Sequence, residues 1–481
     1  MRVRLRSIRT MVALLVIGVG QGTFATGLAV AGPADVGEWS EPFDLGVIGI
    51  HATLLHTGEV LLFDYPHERG TRARLWDPGT GQVIDVARGR RGKHDLFCAG
   101  QIQLSDGRVL VVGGTRWNAR ALDGTNKVSL FDPVTREWSA SEPMNFKRWY
   151  PTPTETADGR ILIFSGWDRE NDPPIRRVER FDPATGGIVT LGPGANQRMD
   201  LYPRTLLLPS GEILWAGQER RTKLFDPSSN AWTFVDAMRY PDRYEGTTVL
   251  LPGLQRVLAL GGDRPPTETT EIIDFSEGEP QWRFAAPMHV GRIHANSVLL
   301  PDGTVLVVGG GRRGEYGQPV FGAELYDPET DTWTQLAEQQ APRTYHSTAL
   351  LLPDGRVLSA GSDSGSPLQD TGEIFSPPYL FAGPRPTIGS APAELSYGEA
   401  FTIDTPQAQT IARVALLRAG SATHGVDFAQ RYVDVSFTGS GAGALQATSP
   451  ATGAEAPPGW YMLFLVDDAG VPSIASWVSI G

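Results

Sequence analysis

Seven copies of one residue pattern follow each other along this chain, with a period of about 45–52 residues. Each copy has an apolar strand, a tight turn, a second apolar strand, a variable loop, and an apolar residue followed by Asp-Pro or a variant of it. The tight turns end at Gly58, Gly107, Gly159, Gly211, a degenerate Gln255, Gly303 and Gly355. Units of this size cannot bury a core alone, so they must pack against their neighbours.

The repeat predicts an all-β fold, a seven-bladed kelch-type β-propeller over residues 32–377, with four antiparallel strands in each blade. The 56 glycines and 37 prolines, without long helical periodicities, agree with a chain of many turns. The segment Trp39 to Leu45 is expected to supply a strand that closes the ring with the last blade.

The pattern changes after Pro377. Residues 378–386 are rich in proline and predict a linker. Residues 387–481 have short alternating strands, which predict an immunoglobulin-like β-sandwich. The expected strands are Phe401 to Ile403, Ile411 to Leu417, Tyr432 to Phe437, Trp460 to Val466 and Ser476 to Ile480.

Residues 1–31 predict a signal peptide. Four arginines precede an apolar stretch, Met11 to Val19, that is too short to span a bilayer, and Ala29-Val30-Ala31 is a small-x-small cleavage site. We therefore expect a secreted protein without a membrane span. The net charge of −12 argues against nucleic acid or an anionic membrane as a partner.

Cys98 is the only cysteine, so no intrachain disulfide can form. Its simplest interpretation is a buried small hydrophobic residue. An exposed thiol would be oxidised outside the cell, so Cys98 is either buried or used in another bond.

Residues at one register of the inner strands form a ring around a propeller axis. Nine residues before the turn positions lie Gly49 (with His51 two residues on), Cys98, Tyr150, Tyr202, Gly246, His294 and His346, and Tyr345 precedes His346. One interpretation is that these tyrosines and histidines only cap the channel by hydrogen bonds. The other is a metal site, for which phenolate and imidazole ligands favour Cu(II) over Ca²⁺ or Mg²⁺.

Several short motifs in this order resemble those of the copper-radical oxidases, glyoxal oxidases more than galactose oxidase. They are Phe97-Cys98, Arg148-Trp149-Tyr150, Arg343-Thr344-Tyr345-His346-Ser347, Thr423-His424, Gln430-Arg431 and the stretch Pro457 to Phe464. The resemblance covers nearly all of the chain that follows the predicted signal peptide.

The resemblance implies copper and a protein-derived Cys-Tyr cofactor. Cys98 would form a thioether to the ring of Tyr150, which would ligate copper and hold a radical. His346 and His424 would be the imidazole ligands, and Tyr345 the axial phenolate and proton acceptor. His424 belongs to the sandwich, so its loop must reach into the propeller channel.

The implied activity is oxidation of simple aldehydes or primary alcohols by O2 to give hydrogen peroxide, by a monomer. Trp167 is expected to shield the radical, with Trp149 as a competing candidate. Ala99 and Gly425 stand where serine is usual in the family. The alternatives are a non-catalytic kelch propeller that binds a glycan or a protein and, more remotely, a glycoside hydrolase.

Overall fold

The computed structural model describes residues 31–67, 70–86, 95–117, 122–363, 368–439 and 443–481. The predicted signal peptide therefore lies outside the described residues, except for Ala31. Residues 32–481 form one compact unit. The helices are short: an α-helix at Pro33–Val36 and 3-10 helices at Pro193–Ala195 and Pro378–Phe381. None of the helices in these ranges is long and apolar enough to cross a membrane.

The predicted seven-bladed propeller is confirmed. Blades 1 to 3 contain His51–Leu54, Val60–His67, Gly70–Trp76 and Val83–Asp85; Gly100–Gln103, Val109–Val112, Val128–Asp132 and Glu137–Ala140; and Thr152–Glu155, Ile161–Phe164, Glu179–Phe181 and Ile188–Thr190. Blades 4 to 6 contain Thr205–Leu207, Ile213–Trp215, Arg221–Asp226 and Ala231–Ala237; Thr247–Leu250, Arg256–Leu260, Thr270–Asp274 and Arg283–Ala285; and Asn296–Leu299, Val305–Val308, Gly322–Asp327 and Thr332–Glu338.

Blade 7 is completed by the start of the described chain. Its own strands are Ser347–Leu351, Val357–Gly361 and Thr371–Ser376, and Glu38–Trp39 and Phe43–Asp44 pair with the last of these. The predicted closing strand is thus confirmed. Two further hairpins lie in the loops: Thr115–Trp117 with Leu122–Gly124, and Gly311–Arg313 with Gly317–Pro319.

The turn residues of the repeat explain why the strands reverse where they do. The glycines of the regular inner turns have φ between 78° and 90°, a backbone conformation that L side chains rarely adopt. In the outer turns an aspartate carboxylate accepts a backbone N–H two residues on, as Asp77 does from Gly79 and Asp226 from Ser228, both at 2.8 Å.

The C-terminal region is a sandwich of two sheets. One contains Glu394–Leu395, Ile411–Arg418, Tyr432–Asp434, Gly459–Asp467 and Ser476–Ile480, and the other Ala400–Asp404, Phe437–Gly439 and Ala444–Thr448. The single strand predicted over Tyr432 to Phe437 was wrong: it is two strands that belong to different sheets.

The sandwich packs against the end of the propeller where the inner turns lie. The Tyr432 hydroxyl donates to Pro301 O at 3.0 Å, the Ala475 N–H donates to Pro353 O at 2.8 Å, and the Trp460 ring stacks on His56 at 4.5 Å. Buried apolar residues of the two regions also belong to one continuous core.

A hairpin from the sandwich enters the centre of the propeller. Its strands are Ser421–Thr423 and Val426–Asp427, and the first pairs with the innermost strand of blade 1, with Thr423 opposite His51. This pairing places His424, at the tip of the hairpin, beside the inner strands and far from the rest of its own region.

Candidate metal centre

The residues of the predicted ring share an unusual backbone conformation. Cys98, Tyr150, Tyr202, His294 and His346 all have φ between 45° and 65°. Hydrogen bonds join successive members, since Tyr150 N–H donates to Cys98 O and Tyr202 N–H to Tyr150 O, both at 3.0 Å. Such conformations are costly for bulky residues and persist only where the surroundings enforce them.

The prediction for the fifth repeat was one residue off. Glu245, with φ of 56°, takes the ring position assigned to Gly246, and its carbonyl accepts the His294 N–H at 3.1 Å. The degenerate turn of this repeat shifted the count. In the first repeat His51 does contact the ring, because its Nε2 accepts the Cys98 N–H at 3.0 Å.

Buried ion pairs hold the loops that lead into the ring. An arginine lying two or three residues before a ring residue pairs with a glutamate on the third strand of its blade, in each case with both side chains buried. The pairs are Arg148–Glu179, Arg243–Glu271, Arg292–Glu324 and Arg343–Glu373, at 2.5–3.0 Å. Charge-assisted hydrogen bonds between desolvated groups of this kind fix geometry.

The five residues singled out for the metal site come together in the structure. Ligand atoms of Cys98, His346 and His424 lie within 4.8 Å of one another, and Cys98 Sγ is 3.7 Å from His424 Nε2. The hydroxyls of Tyr150 and Tyr345 are 2.8 Å apart, and both rings meet the His424 ring edge-on.

The tautomer of His424 follows from its neighbour. The Thr423 hydroxyl donates its only proton to Ile50 O at 2.7 Å, so it accepts the proton of His424 Nδ1 at 2.6 Å. The Nε2 lone pair of His424 therefore faces the cluster. Burial also lowers the pKa of His424 well below its usual value, which keeps the imidazole neutral.

The ring of His346, like that of His424, has its Nδ1 atom held by a neighbouring side chain. Its Nδ1 lies 2.6 Å from Asp363 Oδ2 and 3.1 Å from the Tyr65 hydroxyl. Its Nε2 is buried without a hydrogen-bond partner among the described residues. Burial lowers the pKa of His346, although Asp363 acts in the opposite direction.

This donor set fits a copper ion. The Nε2 atom of His346 has a lone pair and no hydrogen-bond partner in the described part of the chain, which is an unfavourable state for a buried polar atom unless a ligand satisfies it. Burial raises the pKa of both Tyr150 and Tyr345, so their ionisation requires a strong positive charge nearby. Two imidazoles and two phenols are ligands suited to Cu(II).

Two ring residues have other partners. The Tyr202 hydroxyl donates to Ala99 O at 2.8 Å, and His294 Nε2 lies 3.0 Å from Glu245 Oε2. The interpretation as a hydrogen-bonding cap therefore describes Tyr202, whereas His294 contacts Glu245 without hydrogen-bond geometry.

The geometry favours Trp149 over Trp167 as the ring that covers Tyr150. Trp149 lies 4.7 Å from the Tyr150 ring at 32°, whereas Trp167 meets it edge-on at 6.5 Å and 86°. An antiparallel bridge between the two tryptophans sets this arrangement. The expected stacking of Trp167 on Tyr150 is thus not what the structure shows.

A cavity of 730 Å³ leads to the cluster. Tyr150, Tyr345 and His424 contribute to its wall, as do Asn171, Asp172, Pro173, Pro174, Arg176 and Glu315. Arg264 pairs at 2.9 Å with Glu245, which also lines the cavity. Sequence reasoning missed Tyr65, Asp363 and Glu245, since no spacing connects them with the motifs.

The structure also explains one departure from the family pattern. Gly425 has φ of 72°, and a Cβ at this position would lie 2.6 Å from Ala295 O. No side chain fits there in this chain, which accounts for glycine in place of serine.

Family models match the last part of the propeller and the sandwich. Residues 259–378 match the model described as the glyoxal oxidase N-terminus, and residues 385–480 match the galactose oxidase-like early set domain.

Curated relatives and a solved structure extend the match over most of the chain. An aldehyde oxidase GLOX of Vitis pseudoreticulata is 31% identical, over 80% of this chain and 82% of the relative. A galactose oxidase of Gibberella zeae is 28% identical, over 92% of this chain and 71% of the relative. A fungal alcohol oxidase of the AA5 family, solved in complex with copper, superposes with a TM-score of 0.82 at 26% identity, covering 93% of this chain and all of that one. The chain belongs to the copper-radical oxidase family of galactose oxidase and the glyoxal oxidases.

Proposed function

We propose that this protein is a secreted oxidase that converts simple aldehydes or primary alcohols with O2 and releases hydrogen peroxide. The observation that carries the proposal is the convergence of Cys98, Tyr150, Tyr345, His346 and His424 beside a cavity that three of them line. The predicted signal peptide supports secretion. A protein that only binds a glycan or another protein has no use for this set.

The proposed ligands are Nε2 of His346, Nε2 of His424 and the hydroxyls of Tyr150 and Tyr345. Copper, when bound, supplies a one-electron redox centre and a coordination position for the substrate oxygen. Tyr150, proposed to be joined to Cys98 through a thioether, is the second one-electron centre, because removal of two electrons from one substrate needs two such centres.

Each residue then has a role in the reaction. Tyr345 accepts the proton of the substrate hydroxyl, or of the hydrated aldehyde. The Tyr150 radical takes a hydrogen atom from the substrate carbon. The proton, the hydrogen atom and the remaining electron leave on O2 as hydrogen peroxide, so atoms and electrons balance. Trp149 covers the Tyr150 ring, which is only 9% exposed, and shields it from solvent.

A peptide mass map of protein exposed to copper in air tests the cofactor. We expect the peptides of Cys98 and Tyr150 to be joined with loss of two hydrogens, with O2 as the oxidant. Peptides that stay separate after copper loading would count against the radical site and favour a binding propeller.

The matched variant is Cys98→Ser. It removes the sulfur but none of the proposed ligands, so it should keep the fold and copper uptake and lose nearly all peroxide production in a screen of aldehydes and alcohols. Full activity in this variant would exclude the thioether mechanism.

A further inference from the structure

The side chain of Asp363 is a largely buried carboxylate, and no arginine or lysine of the described residues forms an ion pair with it. It is 8% exposed, and its only ion-pair contact among the described residues is with the imidazole of His346. By contrast, each of the four buried glutamates that hold the loops leading into the ring pairs with an arginine. A carboxylate out of water is costly unless a positive charge compensates it. A positive ion bound by His346 would compensate the charge of Asp363.

The contacts of Asp363 place a proton on one nitrogen of His346. Asp363 Oδ2 accepts a hydrogen bond from the Tyr65 hydroxyl, and it lies 2.6 Å from His346 Nδ1. A carboxylate can only accept, so the shared proton is on Nδ1. The Tyr65 oxygen, 3.1 Å from the same nitrogen, has a lone pair that accepts it too. Both contacts leave the Nε2 lone pair directed at the cluster.

The backbone aims Asp363 at His346. The preceding residue, Ser362, has φ of 109°, an uncommon value for a residue with a side chain. Its N–H donates to His346 O at 3.0 Å, and its hydroxyl accepts the Thr344 N–H at 3.1 Å. These bonds tie the position of Asp363 to the strand start that carries His346. A strained conformation held by several contacts points to a functional constraint.

We propose that Asp363, supported by Tyr65, is a positioning residue for copper that fixes the tautomer and orientation of His346 and compensates the charge of the bound ion. The inference rests on the proposed function, because it requires a copper site at His346. It adds a carboxylate–imidazole–metal arrangement to that site, and partners of this kind raise the basicity of a ligating histidine.

Competition with a chromophoric Cu(II) chelator tests the proposal on the full chain. We expect Asp363→Asn to weaken copper binding by about 10–100-fold. The reason is that its amide is neutral and can donate to Nδ1, which favours the wrong tautomer. Tyr65→Phe should produce a smaller loss in the same direction. The control is Asp172→Asn, which removes one negative charge from the wall of the same cavity without a contact to His346 and should bind copper like the parent protein.

A spectroscopic readout separates positioning from a general loss of structure. At equal copper loading, the nitrogen hyperfine pattern of the Cu(II) EPR spectrum should change in Asp363→Asn and remain unchanged in Asp172→Asn. If Asp363→Asn does not fold, the same comparison is made with Tyr65→Phe.

The outcomes are distinct. A parent protein that takes up no copper would overturn the proposed function, and this inference with it. A parent protein that binds copper, with Asp363→Asn or its substitute Tyr65→Phe equal to it in affinity and EPR spectrum, would overturn the positioning role alone. An equal loss of affinity in Asp172→Asn would assign the effect to cavity charge and would also overturn that role.

Discussion

At the scale of single residues, the candidate site is built from backbones in the left-handed region. Cys98, Tyr150, His346 and His424 all have positive φ, and Gly425 follows with φ of 72°. Each such residue turns the chain sharply and directs a side chain toward the propeller axis. The conformation costs about 1–2 kcal/mol per residue with a side chain. The backbone at the candidate site is therefore locally strained.

Alanine variants at two glycines with positive φ measure the free-energy cost of placing a side chain in this conformation. We expect Gly398→Ala, at a position with φ of 71° and open space around it, to lower the free energy of unfolding by about 1–2 kcal/mol. Gly425→Ala, whose Cβ would meet Ala295 O, should lose a further ~1–3 kcal/mol. Urea denaturation of the copper-free proteins measures both. Equal losses in the two variants would show that the loop around Gly425 relaxes freely.

At the scale of elements, the hairpin from the sandwich completes the centre of the propeller. Ser421–Thr423 extends the sheet of blade 1, and Arg431 Nη2 donates to Leu207 O at 2.7 Å on another blade. Backbone pairing to a rigid inner strand holds His424 more precisely than a free loop would. This explains how one of the proposed ligands can come from a region so distant in sequence.

Thr423 is the residue of this hairpin that sets the orientation of His424. Thr423→Val keeps the shape but leaves the Ile50 carbonyl and His424 Nδ1 without their partner, so we expect a loss of about 1–3 kcal/mol in stability. Copper affinity should fall by about 10–100-fold. Thr423→Ser keeps the hydroxyl and should remain close to the parent protein. Calorimetry of unfolding and copper competition measure the two effects, and identical behaviour of the valine and serine variants would refute the role of the hydroxyl.

At the scale of the whole molecule, burying imidazoles in the centre makes stability depend on pH. Burial lowers the pKa of His51 to about 3, and it also lowers those of His346 and His424. The unfolded chain takes up these protons near pH 6.5, whereas the folded chain does not. The contribution to stability is therefore complete above pH 6.5 and is lost as the pH falls toward 3.

Substitution of His51 tests the part of this pH dependence that comes from a single imidazole. Between pH 7 and pH 4 the copper-free parent should lose about 3 kcal/mol more in the free energy of unfolding than His51→Gln does. The difference between the two pH values cancels any constant loss caused by the substitution. A parent and a His51→Gln variant with the same pH dependence would contradict the assignment.

The sequence alone determined the architecture and the members of the cluster. A repeat of fixed period places residues of equal register on the same ring, so Cys98, Tyr150 and His346 could be placed together by counting. The motif around His424 supplied the remaining imidazole. Neither step required loop conformations, because strand periodicity and turn glycines are local properties of the chain.

Only the tertiary structure decided what surrounds the cluster. Tyr65 and Asp363 are separated by 298 residues, and Trp149 lies closer to the Tyr150 ring than Trp167 does because of how two loops pair. Glu245 occupies a ring position that counting assigned to its neighbour. These contacts depend on how the ring of blades closes and on loops that have no repeating sequence pattern. The repeat period of the sequence therefore could not predict them.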